Sequence, residues 1–310
     1  MSSRIIPAKK RSIVWRRKLF TTAFISPALL LILCFAYWPI VSTINYSFHS
    51  WDGFSLEMTW VGFANYLRLF QDPNFQNAFK NNLLIVVVSI LIQLPLSFFT
   101  AYLIYKVKNK WAEISKVIFY IPCILSMVMI GLLWRFIYDY QVGTVNTFLR
   151  TIHLPALTRV WLTDSNTAMG AILLVVIWLY FGYHCLIYSA GLNSMPVEVL
   201  EAARIDGASG WLLIRRIVIP MLSEVIRVSL IISLVGSFQF FDLIWILTGG
   251  GPFHKTDVLA TYMYNRAFQA HEFGYGGAIA VVILLCALGA TLLQNLWQRN
   301  NAKGGQINEV

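Results

Sequence analysis

Glu201-Ala-Ala-Arg-Ile-Asp-Gly207-Ala-Ser-Gly210, running on through Trp211 to Pro220, is the stretch that decides how this chain is built. It lies between two long apolar runs but cannot cross a membrane itself. Glu198, Glu201, Arg204, Asp206, Arg215 and Arg216 crowd together here, and each charge at a bilayer centre costs roughly 2.5–3.5 kcal/mol. The segment therefore sits in water on one side of a bilayer. Pro196 suits the first turn of a helix, and Glu198 and Glu201 suit its positive end. Gly207 ends that helix, because Gly accepts the left-handed cap other residues avoid. A second short helix follows, with Ser209 as its cap and Trp211, Ile214, Ile217 and Val218 as its apolar side. Ala202 and Ala203 are small enough to let a partner backbone come close.

The flanking runs belong to a chain-wide pattern. Of 310 residues, 58% are hydrophobic and 12% charged, whereas a soluble domain averages about 25% charged. The mean hydropathy is +0.65, and the class is that of a membrane protein. A net charge of +10 does not make a nucleic-acid binder, since the basic residues gather at the edges of apolar runs instead of along one face. Cys34, Cys123, Cys185 and Cys286 each lie in an apolar run without a second Cys or His at ligand spacing. His184 and Cys185 adjoin but point apart on a helix, so no metal site is expected. All four cysteines read as small core residues.

Residues 1–18 carry seven basic residues and no acid, which reads as a basic cytoplasmic tail. The run from 19 to 41 is too long for a signal peptide and has no small-residue cleavage site. It reads as a retained first span in which Pro27 and Pro39 bend the helix or mark its end. Residues 42–81 form an exposed loop with interfacial segments. Further runs follow at about 83–105, 117–138, 168–190, 221–247 and 276–297, each near the ~20 residues a bilayer core requires. The expected fold is an all-α membrane protein: a six-helix transmembrane domain over 19–298, the charged loop 193–220 within it, and a tail at 299–310. Seventeen Lys and Arg fall on the side of the amino tail and seven on the other. By the positive-inside rule both termini and the 193–220 loop are cytoplasmic.

So placed, the loop resembles the EAA loop of ATP-binding-cassette importer permeases, Glu-Ala-Ala-x-x-x-Gly with a later Pro. Glu201, Ala202, Ala203, Gly207 and Pro220 fit it in order. A second stretch, Leu247-Thr-Gly-Gly-Gly-Pro252, invites a phosphate-loop reading, but a Walker A loop needs Gly where this chain has His254. It also falls on the outer face. It resembles instead the Leu-Thr-Gly-Gly-Gly-Pro signature of the carbohydrate permeases in that family, and Thr256, Tyr264, Ala267, Phe268, Phe273 and Gly274 suit the same pattern.

The resemblance implies a type I importer permease (MetI-like) fold, similar to the maltose and glycerol-phosphate permeases. It would lie in a bacterial or archaeal cytoplasmic membrane. The implied partners are a second similar permease, two copies of an ATPase and an extracytoplasmic solute-binding protein. The implied cargo is a sugar or oligosaccharide. The chain would not be an enzyme and would hold no cofactor, since ATP and magnesium would bind the ATPase. Coupling would run through Glu201, paired with a basic residue of the ATPase, and through Ala202 and Ala203, packed into its groove. Gly207 would allow the turn, Asp206 would bond within the loop, and Arg204 would be an ordinary surface residue.

Polar groups inside spans are costly in lipid and tend to face a cavity. Ser229, Ser233, Ser237 and Phe240 recur at helical spacing in the run 221–247, with Gly236 alongside. They read as a substrate path, hydroxyls bonding sugar hydroxyls and Phe240 stacking on a ring, or equally as a small-residue packing stripe. Tyr180, Tyr183 and His184 lie within a turn of one another in the run 168–190. The resemblance favours the substrate path, although some maltodextrin-type members carry Asn where this chain has Ser237 and Phe240. The competing functions are a permease of the same class for a non-sugar solute, such as glycerol phosphate or an amino acid, a gradient-driven transporter and a membrane enzyme. The second should carry intramembrane carboxylates, and in the expected spans only Glu224 and Asp242 occur, each toward an end of the run 221–247. The third should show a reactive cluster, and His49, His153, His184, His254 and His271 are scattered. Glu201→Lys is expected to leave the protein inserted but to abolish uptake or assembly with the ATPase. Unchanged uptake by that variant, measured in cells, contradicts the coupling assignment.

Overall fold

The computed structural model describes the backbone of residues 8–107 and 109–306 and the side chains of 20–107 and 109–292. Residues 1–7, Lys108 and 307–310, parts of the basic tail, the second loop and the carboxyl tail, lie outside the described residues. In chain order come α1 (Phe20–Ser47), a ribbon of β1 (His49–Ser50) against β2 (Thr59–Trp60), α2 (Ala64–Gln71), α3 (Pro73–Val107), α4 (Lys110–Ile124), α5 (Met127–Ile137) and α6 (Thr144–Thr151). Then follow α7 (Ala168–Asn193), α8 (Val197–Ile205), α9 (Gly210–Met221), α10 (Ser223–Phe238), α11 (Asp242–Leu247), α12 (Leu259–Tyr264) and α13 (Phe273–Gln306).

Among the described residues α1, α3, α7 and the first part of α13 are each long and apolar enough to cross a bilayer. The pairs α4–α5 and α9–α10 pass only together, bent by 99° and 74°, which gives six crossings if each pair is one. The expected span 117–138 is thus two helices, because Leu125 and Ser126 are extended, with ψ of 154° and 135°. The expected span 221–247 ends early as well: α10 stops at Phe238 and α11 starts afresh at Asp242. Asp242 is therefore not inside a continuous span. Hydropathy misses both breaks because it averages over long runs that stay apolar on either side and does not sense backbone angles. Pro27 and Pro39 do not end α1. A widened turn at Leu33–Tyr37, closed by Trp38 N–H donating to Leu33 O, precedes Pro39 and takes up its missing donor. Of the cysteines only Cys185 is buried; Cys34 is exposed and Cys123 and Cys286 are half-buried. An apolar run marks lipid contact as readily as core.

Lipid is as apolar as leucine, so close packing and hydrogen bonds hold such a bundle together. α7 is its axis, packed against α3 and α4. Gly182 of α7 lies on the backbone of Phe119, and a Cβ there would overlap the Phe119 carbonyl oxygen. Toward the C-terminal half of α3, Ser97 Oγ donates to Phe181 O at 2.9 Å. At its N-terminal end Asp72 caps α3, accepting from Asn74 N–H at 2.9 Å, and also accepts from the hydroxyls of Tyr262 and of Tyr275, the latter at 2.6 Å. Burial alone would raise the Asp72 carboxyl's pKa, but these donors outweigh it and hold the group below its usual 3.8. The clasp is therefore intact at neutral pH and weakens only in strong acid, below the ordinary aspartate range.

Three apolar clusters fill the bundle. One joins α3, α5, α7 and α11 through Ile85, Ile130, Ile172, Leu179 and Ile244. A second joins α3 and α7 to α8 and α9 through Phe98, Ala101, Tyr188, Leu200, Ala203 and Leu213. A third joins α2, α3, α10, α12 and α13 through Leu69, Phe75, Phe238, Leu259 and Tyr275. Gly182→Ala is expected to force α4 from α7 and cost about 1–3 kcal/mol. Gly170→Ala on the same helix, where a Cβ meets nothing, should cost nothing. Thermal unfolding of the detergent-solubilised variants checks the difference; equal melting temperatures contradict it.

Candidate functional site

The break after α10 frees backbone groups that need partners. Asn82 of α3 supplies them: its amide donates to Ser237 O at 2.6 Å and its carbonyl accepts from Leu259 N–H at 2.8 Å. The residue before it, Asn81, donates to Lys255 O at 2.8 Å and to Asp257 O at 2.7 Å, and about one turn earlier Asn77 donates to His254 O at 2.7 Å. These asparagines pin the Gly-rich loop that follows α11. Within it Gly249 and Gly250 have φ of 60° and 87°, Thr248 and Thr256 hydroxyls bond at 2.7 Å, and Thr256 donates to Gly251 O at 2.6 Å. Asp257 is fully buried and bonds His254 Nδ1 at 2.6 Å and the Thr261 hydroxyl at 2.7 Å. The loop is a rigid corner at the end of the bundle away from α8, held by these side-chain bonds.

Directly below the corner lies a cavity of about 240 Å³. Tyr180 and Tyr183 of α7, Ser233, Gly236 and Ser237 of α10 and Phe240 from the break all line it, so the six residues singled out from the sequence meet at one place. Phe240 reaches it from beyond the end of α10 instead of along one helical stripe, and stands edge-on to Tyr180 with ring centres 5.7 Å apart. Ser229 is buried but does not line the cavity. His184 of α7, grouped with the two tyrosines from the sequence, lines it too, and so do three residues the sequence reading did not place there: Ser89 and Gln93 of α3 and Cys123 of α4. Ser89 and Gln93 bound a widened helical turn, Ser89–Gln93, that brings both to the same side. Gln93 is a polar residue in the middle of an apolar run, the signal that marked the serines of α10. Gln93 Oε1, His184 Nδ1 and Ser233 Oγ are buried and have no hydrogen-bond partner among the described residues. Each such atom costs roughly 1–3 kcal/mol until something bonds it. None of the lining residues is an acid, a lysine or an arginine.

At the other end, α8 stops in a Schellman turn: Ala208 N–H donates to Ala203 O at 2.9 Å and Gly207 N–H to Arg204 O at 3.0 Å. Gly207 has φ of 85° with open space around it, so the backbone angle alone calls for glycine. Glu201, Ala202, Arg204 and Asp206 are exposed. Ala203 is not. It is 8% exposed and packs inward against Leu200 and Leu213, so it holds α8 to the bundle. Helical spacing from Leu200 carries that face inward. Ser209 begins α9 without a side-chain cap bond. Ile205, which sequence reading passed over, is 86% exposed beside Ala202 and Glu201.

Comparison with known proteins accords with this arrangement. The model of a family described as "Binding-protein-dependent transport system inner membrane component" matches residues 93–303. "Probable ABC transporter permease protein YurN" of Bacillus subtilis (strain 168) is 38% identical over 280 residues, 90% of this chain and 96% of that protein. "Lactose transport system permease protein LacF" of Rhizobium radiobacter is 30% identical over 274 residues, 87% of this chain and 91% of that protein. A chain in the crystal structure of a bacterial alginate ABC transporter, in complex with an alginate pentasaccharide-bound periplasmic protein, superposes with a TM-score of 0.81 at 26% identity. The match covers 93% of this chain and 96% of that one. With the family model spanning most of the sequence, the chain belongs to the binding-protein-dependent transport system inner membrane components, the permease subunits of ABC importers.

Proposed function

We propose that this chain is one of two permease subunits in an ATP-driven importer that moves a neutral sugar delivered by an extracytoplasmic binding protein. Two copies of a separate ATPase drive it through the 193–220 loop, and both termini lie in the cytoplasm. The observation that carries the cargo assignment is the cavity. Aromatic rings together with three buried polar atoms that lack a partner among the described residues, Gln93 Oε1, His184 Nδ1 and Ser233 Oγ, suit a polyhydroxyl solute. The lack of any charged lining side chain disfavours a phosphate ester or an amino acid zwitterion, which would leave charge unpaired in a low dielectric. At about 240 Å³ the space is below the roughly 300–1,000 Å³ of ordinary ligand pockets, so this subunit supplies one wall of a path for one sugar unit at a time. The lactose and alginate systems named among its relatives support a carbohydrate cargo.

Transport follows the general logic of alternating access. ATP closes the ATPase pair, α8 and α9 move with it, and α3 and α7 follow because Leu200, Ala203 and Leu213 are packed into the same cluster as Phe98 and Tyr188. The cavity then changes the side to which it opens. Glu201 and Asp206 offer charge to the ATPase, and Ala202 and Ile205 offer apolar contact. In vesicles holding the assembled transporter, Phe240→Ala is expected to slow uptake about tenfold, as loss of ~1.4 kcal/mol of transition-state contact would, with ATPase assembly unchanged. Uptake equal to wild type, or transport that favours an anionic over a neutral solute, overturns the cargo assignment.

A further inference from the structure

The short helix α2 and the ribbon before it have no part in the cavity or the coupling loop, yet their surface is divided in an unusual way. One face of α2 is buried against the bundle. Leu69 is 2% exposed in the cluster with Phe75 and Tyr275, and the Asn65 amide donates to Ser47 O at 2.9 Å and His49 O at 3.0 Å. A second face is exposed and polar or small, formed by Ala64, Arg68 and Gln71. Arg68 there pairs with Glu272 at 2.8 Å and covers the Tyr275 ring. The third is exposed and wholly apolar: Phe63, Leu67 and Phe70 are 69%, 63% and 76% exposed. They recur at i, i+4 and i+7 and form one line along the helix. Trp60, 63% exposed, extends that line, since Phe48 touches both the Trp60 and Phe63 rings at 5.5 and 5.3 Å.

Position supplies the occupant. Phe48 directly follows Ser47, the last residue of α1, whose most apolar window is wholly unburied within the chain. α2 packs on α13, and Asp72 just after α2 accepts from Tyr275 near the start of that span. The helix thus lies level with the points where two membrane-crossing helices leave the hydrocarbon. A helix on its side at that level meets protein on one face, water on another and lipid on the third, and α2 carries a matching residue set for each. The apolar line also continues the exposed surface of α1 through Phe48.

We infer that α2 is an interfacial anchor, with Phe63, Leu67 and Phe70 seated at the boundary of head groups and acyl chains, at the end of the bundle that carries the Gly-rich loop. Aromatic residues favour that depth. Trp60 and Phe48 extend the seat, and through Asp72 it fixes the height of α3 and α13 in the bilayer. The anchor is independent of the cargo and of the ATPase.

The test uses the assembled transporter in lipid nanodiscs. Cys34, Cys123, Cys185 and Cys286 are replaced by alanine, and a nitroxide is placed in turn by Leu67→Cys and Gln71→Cys. At position 67 oxygen should relax the label more than a water-soluble nickel complex does, and at position 71 the order should reverse. Nickel access at 67 equal to that at 71 means a water-exposed face, and protection from both reagents means a protein partner; either overturns the anchor. In parallel, a benzophenone amino acid replaces Leu67 in the otherwise native chain. On illumination it should give a phospholipid adduct by mass spectrometry, and an adduct to another protein or to none counts against it.

Discussion

A helix interrupted inside a membrane exposes carbonyl and amide groups that neither water nor lipid can satisfy. In this chain the interruption after Phe238 is sustained by asparagines on a single helix. Asn82 bonds Ser237 O and Leu259 N–H, and Asn81 and Asn77 hold the carbonyls of 254, 255 and 257. Without those bonds α10 would have every reason to continue, Phe240 would stay on its stripe, and the cavity would lose its outer rim. The Gly-rich loop, the corner it makes and the space beneath it follow from this one constraint.

The same helix, α3, carries the structure's inner half. Phe98, Ala101 and Ile104 near its C-terminal end pack with Leu200, Ala203 and Leu213 of the charged loop, while Ser89 and Gln93 in its middle face the cavity. Displacement of α8 therefore reaches the cavity wall through contiguous packing in place of a flexible linker. The burial of Ala203 matters here. Ala203 ties the loop to the spans, while Glu201, Ala202, Ile205 and Asp206 remain exposed on α8 and the turn after it.

What could be read in advance follows from which interactions are local. The end of α8 at Gly207 was legible because a left-handed cap is a property of a few consecutive residues. The meeting of Tyr180, Tyr183, Ser233, Gly236, Ser237 and Phe240 was legible because polar groups in apolar runs must turn from lipid. The breaks at Leu125–Ser126 and at 239–241 were not, since hydropathy is blind to backbone angles and the bonds that permit the second break come from residues more than 150 positions away. Gln93 was legible by the same rule as the serines and was passed over. The exposure of Cys34 was not, because apolar sequence does not distinguish lipid from core.

The central claim is that the cavity beneath the Gly-rich corner is the transport path and changes sides as ATP binds. Cys123 lies on its wall and reports directly. In vesicles of the assembled transporter, a membrane-impermeant thiol reagent can be applied to one face at a time and the modified residue located by mass spectrometry. Cys123 should react from the cytoplasmic face without nucleotide and from the outer face when ATP is held unhydrolysed. Labelling that is the same in both states, or absent from both faces, would contradict it.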